Sequence, residues 1–126
     1  MTRTLGSSGS QVSTVGIGCN AFGTRIDQEQ TTAVVDAAFE HGVTFFDTAD
    51  VYGESEVQIG KALEELGLTQ KMFIVTKFNA VGGTDLNDGV GGLASIERSF
   101  QRLKKIDLLF IHSVSSIESQ MVTLLD

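Results

Sequence analysis

Asp47, Tyr52, Lys77 and His112 are four residue types that together can deliver a proton to a carbonyl oxygen. A tyrosine phenol, with an unperturbed pKa of about 10, donates with useful driving force only where a neighbouring cation stabilises the phenolate left behind. Lys77 can be that cation, and Asp47 can hold it in place. His112 can aim an N–H at the oxygen on which negative charge develops. A carbonyl that takes a proton at oxygen takes a hydride at carbon, and no side chain supplies hydride, so a nicotinamide cofactor is implied. Tyr52 is the chain's only tyrosine.

For these groups to meet, the elements that carry them must end in one place. Four apolar runs each leave a polar residue at or just beyond their C-terminal end: Asn20 after TVGIG, Asp47 in VTFFD, Lys77 in MFIVTK and His112 in IDLLFIH. Helical patterns separate the runs. Asp27 reads as an N-cap with Gln30 three residues later; Val34, Val35, Ala38 and Phe39 form an apolar face, and Gly42 stops it. Ser55 and Gln58 form a second capping-box pattern, followed by Ile59, Leu63 and Leu66 and stopped by Gly67. The glycine-rich stretch NAVGGTDLNDGVGG leads into a third stripe of Leu93, Ile96, Phe100 and Leu103. Ser115 and Glu118 open a fourth, with Ile117, Met121, Leu124 and Leu125.

Ahead of all this, RTLGSSGSQVS reads as two short extended pieces around a turn, a hairpin or a loose terminus. The order is strand–helix repeated four times, with strands apolar enough to be buried on both faces of a parallel sheet. In such a sheet the strand ends share one face, so the four polar residues converge. Tyr52, five residues beyond Asp47, lies on a loop that can fold back over them. Taken singly, Asp47 could cap a loop, Lys77 could be a solvated charge and His112 a satisfied core histidine. Their placement at successive strand ends is what favours a site. His41, in the last turn of the first helical pattern, suits the helix dipole and is assigned no function.

Composition narrows the function. With 41% hydrophobic and 20% charged residues, the 126 residues suit one globular domain. Nine Lys and Arg against sixteen Asp and Glu give a net charge of -7, which leaves no basic face for nucleic acid or anionic lipid. No run approaches the roughly 18 apolar residues of a membrane span, and the N-terminus lacks the apolar core of a signal peptide, so a cytoplasmic protein is expected. Cys19 stands alone, without disulfide partner or zinc spacing, and reads as a small buried residue; no metal site is expected. DLNDG at Asp85 lacks the ligand spacing of a calcium loop. GIGCNA from Gly16 satisfies the G-x-G-x-x-A of a dinucleotide-binding fold, with Asp47 as the ribose acid. In that fold the helix starts at the glycines, whereas the first cap here is Asp27.

TLGSSGSQVSTVGIGCNAFG, FFDTADVYGESEVQIGKAL, VTKF and IDLLFIH together carry a further signal. The sequence resembles the aldo-keto reductases, and the match D-T-A-x-x-Y-G-x-S-E from Asp47 to Glu56 is its most specific part. The resemblance implies a (β/α)8 barrel and reduction of an aldehyde or ketone with NADPH, or NADH, as cofactor. It makes Tyr52 the general acid, Lys77 and Asp47 its tuning partners and His112 the residue that orients the carbonyl. Gly18, Asn20 and Phe22, with Asp47, would line the cofactor or substrate rim.

Such a barrel takes about 250 residues, so residues 1–126 read as its N-terminal half: an N-terminal β-hairpin and the first four βα units of the α/β barrel. The resemblance puts the residues that hold the nicotinamide amide and the pyrophosphate in the other half. A noncatalytic binding or regulatory remnant and a nonfunctional gene product are the alternatives. SVSSIES departs from the Trp- or Pro-containing stretch common after the histidine in this family, which leaves the substrate open. A four-stranded open sheet exposes its edges and one curved apolar face, so self-association or a covering partner is expected.

Overall fold

Asp27 caps its helix in both directions: its carboxylate accepts from Gln30 N–H (2.9 Å), and Gln30 Oε1 accepts from Asp27 N–H (3.1 Å). A cap of this kind contributes about 1 kcal/mol. The helix α1, Gln28–Glu40, buries Thr31, Val35 and Ala38, and the chain turns out of it at Gly42 with φ of 73°. Val34, read above as part of the apolar face, is exposed.

The computed structural model describes residues 1–79 and 92–113. The glycine-rich stretch 80–91 and the fourth helical stripe from Ser115 to Leu125 lie outside the described residues. Within them the element order is β1 (Thr2–Thr4), β2 (Gln11–Ser13), β3 (Gly16–Gly18), α1, β4 (Phe45–Asp47), α2 (Ser55–Glu65), β5 (Phe73–Asn79), α3 (Gly92–Leu103) and β6 (Leu108–Ser113). The strands are shorter at their N-terminal ends than the apolar runs suggested.

The first two strands form the antiparallel hairpin, Thr2 opposite Ser13. It is fastened to the rest by Ser13, whose hydroxyl oxygen accepts from the N–H groups of Thr44 (3.0 Å) and Phe45 (3.2 Å) at the start of β4. The other four strands make one parallel sheet in the order β3-β4-β5-β6, each beside the strand before it in sequence. This is the strand–helix alternation of a partial (β/α)8 barrel. The sheet is open: among the described residues β3 and β6 each pair on one side only.

Side chains alternate across this sheet. Phe46 and Ile74 face the helices and join Val35, Ala38, Ile59, Ala62, Leu63 and Leu103 in the core. Phe45 and Phe73 face the other way, stacked with ring centroids 5.6 Å apart. On that same face Phe110, paired in register with Lys77, is 48% exposed.

Between α2 and α3 there is no room for a side chain at Gly60. A Cβ there would lie 1.8 Å from the carbonyl oxygen of Arg102. One turn earlier Glu56, wholly buried, accepts from the hydroxyl of Thr76 on β5 (2.6 Å) and from the guanidinium of Arg102 on α3 (3.2 Å). A buried carboxylate needs such partners to offset its lost hydration. Glu56 thus ties two helices to the strand that carries Lys77.

Candidate active site

Asp47, the last residue of β4, sits in register with Gly18 on β3 and Val75 on β5. The ladder does not stop where the strand does. Cys19 N–H donates to Asp47 C=O (2.9 Å), Thr48 N–H to Val75 C=O (2.9 Å) and Asp50 N–H to Lys77 C=O (2.9 Å). The backbone after Asp47 is therefore gripped by β5 for three more residues. It then turns, with Tyr52 N–H on Ala49 C=O (3.1 Å) and Ser55 N–H on Tyr52 C=O (3.0 Å), and enters α2.

This path brings Tyr52 over the strand ends. The Lys77 ammonium pairs with Asp47 Oδ1, donates to Thr48 C=O (2.8 Å) and lies 5.1 Å from the centroid of the Tyr52 ring. His112, from β6, meets that ring edge-on at 5.6 Å between centroids. The structure thus brings all four residues together, with Tyr52 between a cation and an imidazole. Ion pairs as open as this one contribute about 0–1 kcal/mol, since the Asp47 side chain is 42% exposed. Orientation of Lys77 is the greater effect: two of the three ammonium donors are committed among the described residues, which fixes where the charge sits.

Of the three residues expected at a rim, Gly18 and Asn20 are exposed. A Cβ at Gly18 would meet nothing within 4 Å, so a flat ring has room against the end of β3. Asn20 is held through its carbonyl, which accepts from Thr24 Oγ1 (2.9 Å). Phe22 is 4% exposed and packs in the core cluster with Cys19 and Val35. Its backbone explains the inward turn, since Phe22 N–H closes on Cys19 C=O (3.1 Å).

Several supporting residues carry no signal at the level of motif spacing. Ser55 is one, and its role corrects the capping-box reading. Glu54 is the N-cap of α2, and no side-chain bond caps the helix. Ser55 Oγ instead donates to Cys19 C=O (2.9 Å) and shares a hydrogen bond with Thr48 Oγ1 (2.8 Å), while Gln58 Oε1 accepts from Thr31 Oγ1 on α1 (2.7 Å). These buried hydroxyls join the loops after β3 and β4 beneath the site. Among the described residues no group of His, Cys, Asp and Glu is arranged to hold a metal, and no helix is long and apolar enough to cross a membrane.

Cys19 is fully buried, and burial pushes its thiol pKa up to about 12, against a lowering backbone hydrogen bond from the Asp47 side of the site. The folded state therefore keeps a proton that the unfolded state loses above pH 9.0. Below that pH the thiol leaves stability unchanged. From there to about 12 it removes about 1.4 kcal/mol per pH unit. Cys19→Ala is expected to flatten this component of a stability-versus-pH curve measured by urea unfolding; identical alkaline slopes in the two chains would show that the thiol is not buried. Alkylation of Cys19 is likewise expected only on unfolding.

The chain as a whole has relatives. The sequence profile described as "Aldo/keto reductase family" matches residues 14–124. The chain belongs to that family. The "Probable aldo-keto reductase 1" of Glycine max is 36% identical over 115 residues, covering 85% of this chain and 33% of its own length. The "Probable voltage-gated potassium channel subunit beta" of Arabidopsis thaliana is 32% identical over 113 residues, covering 86% and 34%. Among solved structures, the thermostable aldo-keto reductase Tm1743, in complex with the inhibitor epalrestat, superposes with a TM-score of 0.76 at 28% identity, covering 98% of this chain and 48% of that one. This aldo/keto reductase chain spans about a third of the length of these curated relatives and about half of that solved structure.

Proposed function

We propose that residues 1–126 contribute the proton-donating side of an oxidoreductase that reduces an aldehyde or ketone with NADPH, or NADH. The observation that carries this is the setting of Tyr52, with the Lys77 ammonium over its face and the His112 ring at its edge. The Tyr52 hydroxyl gives its proton to the carbonyl oxygen. Lys77 stabilises the phenolate this leaves, and Asp47 and the Thr48 carbonyl hold Lys77 where that charge appears. His112 donates an N–H to the same carbonyl oxygen, orienting the substrate. A bound nicotinamide supplies the hydride to carbon. The open space beside Gly18 and the exposed Asn20 fit the reacting end of that cofactor. Family membership adds weight to this reading.

The substrate on this reading is a small carbonyl compound rather than a nucleic acid, and the compartment the cytoplasm. The sheet face with Phe45, Phe73 and Phe110, together with the one-sided pairing of β3 and β6, favours association when these residues are alone. Titrating NADPH fluorescence while recording light scattering tests both statements. The 126-residue chain by itself is expected to scatter as an associated species and to bind NADPH without measurable affinity. Adding the separately made C-terminal half of a related reductase is expected to restore binding and aldehyde reduction. Tight NADPH binding by a monodisperse monomer, or a reconstituted barrel that reduces no member of an aldehyde and ketone panel, would overturn the proposal.

A further inference from the structure

Tyr52 sits on a loop, and a loop that carries a reacting group needs something rigid to hold it. The β5 backbone supplies one grip, through the Asp50 N–H on Lys77 C=O (2.9 Å). A second grip comes from a helix. Ser95, 2% exposed in the first turn of α3, donates its hydroxyl to Asp50 Oδ2 at 2.6 Å. The other carboxylate oxygen, Oδ1, is buried without a hydrogen-bond partner among the described residues, so the Ser95 bond is the whole of this side chain's hold there. The anchor is itself fixed, because α3 is docked on α2 by the close approach at Gly60 and by the Glu56–Arg102 pair.

We propose that Asp50 is a positioning residue for Tyr52, clasping the loop between the end of β5 and Ser95 of α3 so that the phenol stays between Lys77 and His112. A carboxylate suits the task because it accepts from Ser95 through one oxygen while its backbone N–H faces β5. Asp50 stands two residues before Tyr52, and the intervening turn, Tyr52 N–H on Ala49 C=O, transmits its placement. This inference rests on the reading of Tyr52 as the proton donor, but placement and chemistry can be measured separately.

With one Tyr and no Trp, the intrinsic fluorescence of the chain near 300 nm belongs to Tyr52 alone. Its quenching by acrylamide reports how often the loop leaves its site, and it does so whatever Tyr52 does chemically. Where quenching occurs from the undocked loop, losing one such hydrogen bond is expected to raise the quenching constant about fivefold. Asp50→Ala and Ser95→Ala are both expected to show this rise, and the double variant is expected to show little more than either. Asp50→Asn, which keeps an accepting oxygen, is expected to restore the original value. Ser99→Ala, one turn further along α3 at a hydroxyl with no hydrogen-bond partner among the described residues, is the silent control. Cys19 alkylation shows whether each variant remains folded; if Asp50→Ala does not, Ser95→Ala decides. Quenching unchanged in folded Ser95→Ala, or additive in the double variant, would overturn the clasp. Loss of reduction in Tyr52→Phe is a separate result and stands or falls without it.

Discussion

Carbonyl reduction by the reconstituted barrel is expected to fall by roughly 10² to 10⁴ in Tyr52→Phe, the range typical of losing a positioned acid, with cofactor affinity close to unchanged. Phenylalanine keeps the ring that touches Lys77 and His112 and removes only the hydroxyl, so the packing around the strand ends survives. The loss therefore falls on kcat rather than on binding. Activity within a factor of about two of the parent would remove Tyr52 from the mechanism, since no general acid is worth so little. Lys77→Met probes the same event from the other side. It leaves Asp47 and the Thr48 carbonyl without their ammonium and leaves any phenolate without its cation. Turnover should then fail across neutral pH, while Lys77→Arg keeps a charge in altered geometry and displaces the pH–rate profile. Three superimposable profiles would show that Lys77 is a bystander.

Gly60→Ala is expected to destabilise the fold by about 3 kcal/mol or more, against the direction that helix propensity gives. In an exposed helix interior alanine is favoured over glycine by about 1 kcal/mol. Here the new methyl would overlap the Arg102 carbonyl oxygen at 1.8 Å and approach its carbon at 2.9 Å. Both are backbone atoms, so rotamer changes give no relief and α3 must retreat as a body. Its retreat draws Arg102 away from the buried Glu56 carboxylate and lifts Leu103 out of the core. Breaking a buried pair alone costs about 3–5 kcal/mol when one charge is left uncompensated. Urea unfolding of the parent and variant, followed by Cys19 alkylation, measures the difference. A midpoint equal to or above that of the parent would mean that α2 and α3 do not meet at this point.

The convergence of Asp47, Tyr52, Lys77 and His112 was readable because it depends on one-dimensional facts: apolar runs that end in a polar residue, helices between them, and a parallel sheet that aligns the ends. The first helix was readable for a similar reason, as both halves of the Asp27–Gln30 cap are local. What was hidden depends on contacts between distant parts of the chain. Ser55 and Gln58 have capping-box spacing, yet their side chains are taken up by the Cys19 carbonyl and by Thr31 of α1. Phe22 follows a glycine-rich strand end, and its spacing gave no sign that the turn after Cys19 packs its ring in the core cluster. Glu56 looks like any solvated acid in a first helical turn, because its partners Thr76 and Arg102 are 20 and 46 residues away. Phe100 belongs to an apolar helical stripe yet is 55% exposed, since periodicity reports that a face is apolar and not what covers it.

Because each strand of the four-stranded sheet pairs with the one made just before it, the residues joined by every new ladder are separated by a nearly constant stretch of about 30 positions. Closing each such stretch costs almost the same chain entropy, as that cost grows only with the logarithm of length. No pairing within the sheet waits for a distant segment. A ribosome releasing this chain would therefore release, in order, units that can each dock on a surface already present, and assembly could keep pace with synthesis from β3 to β6. Of the ion pairs among the described residues, the one that must wait longest is Glu56 and Arg102, so the buried carboxylate finds its counter-charge only after α3 has emerged.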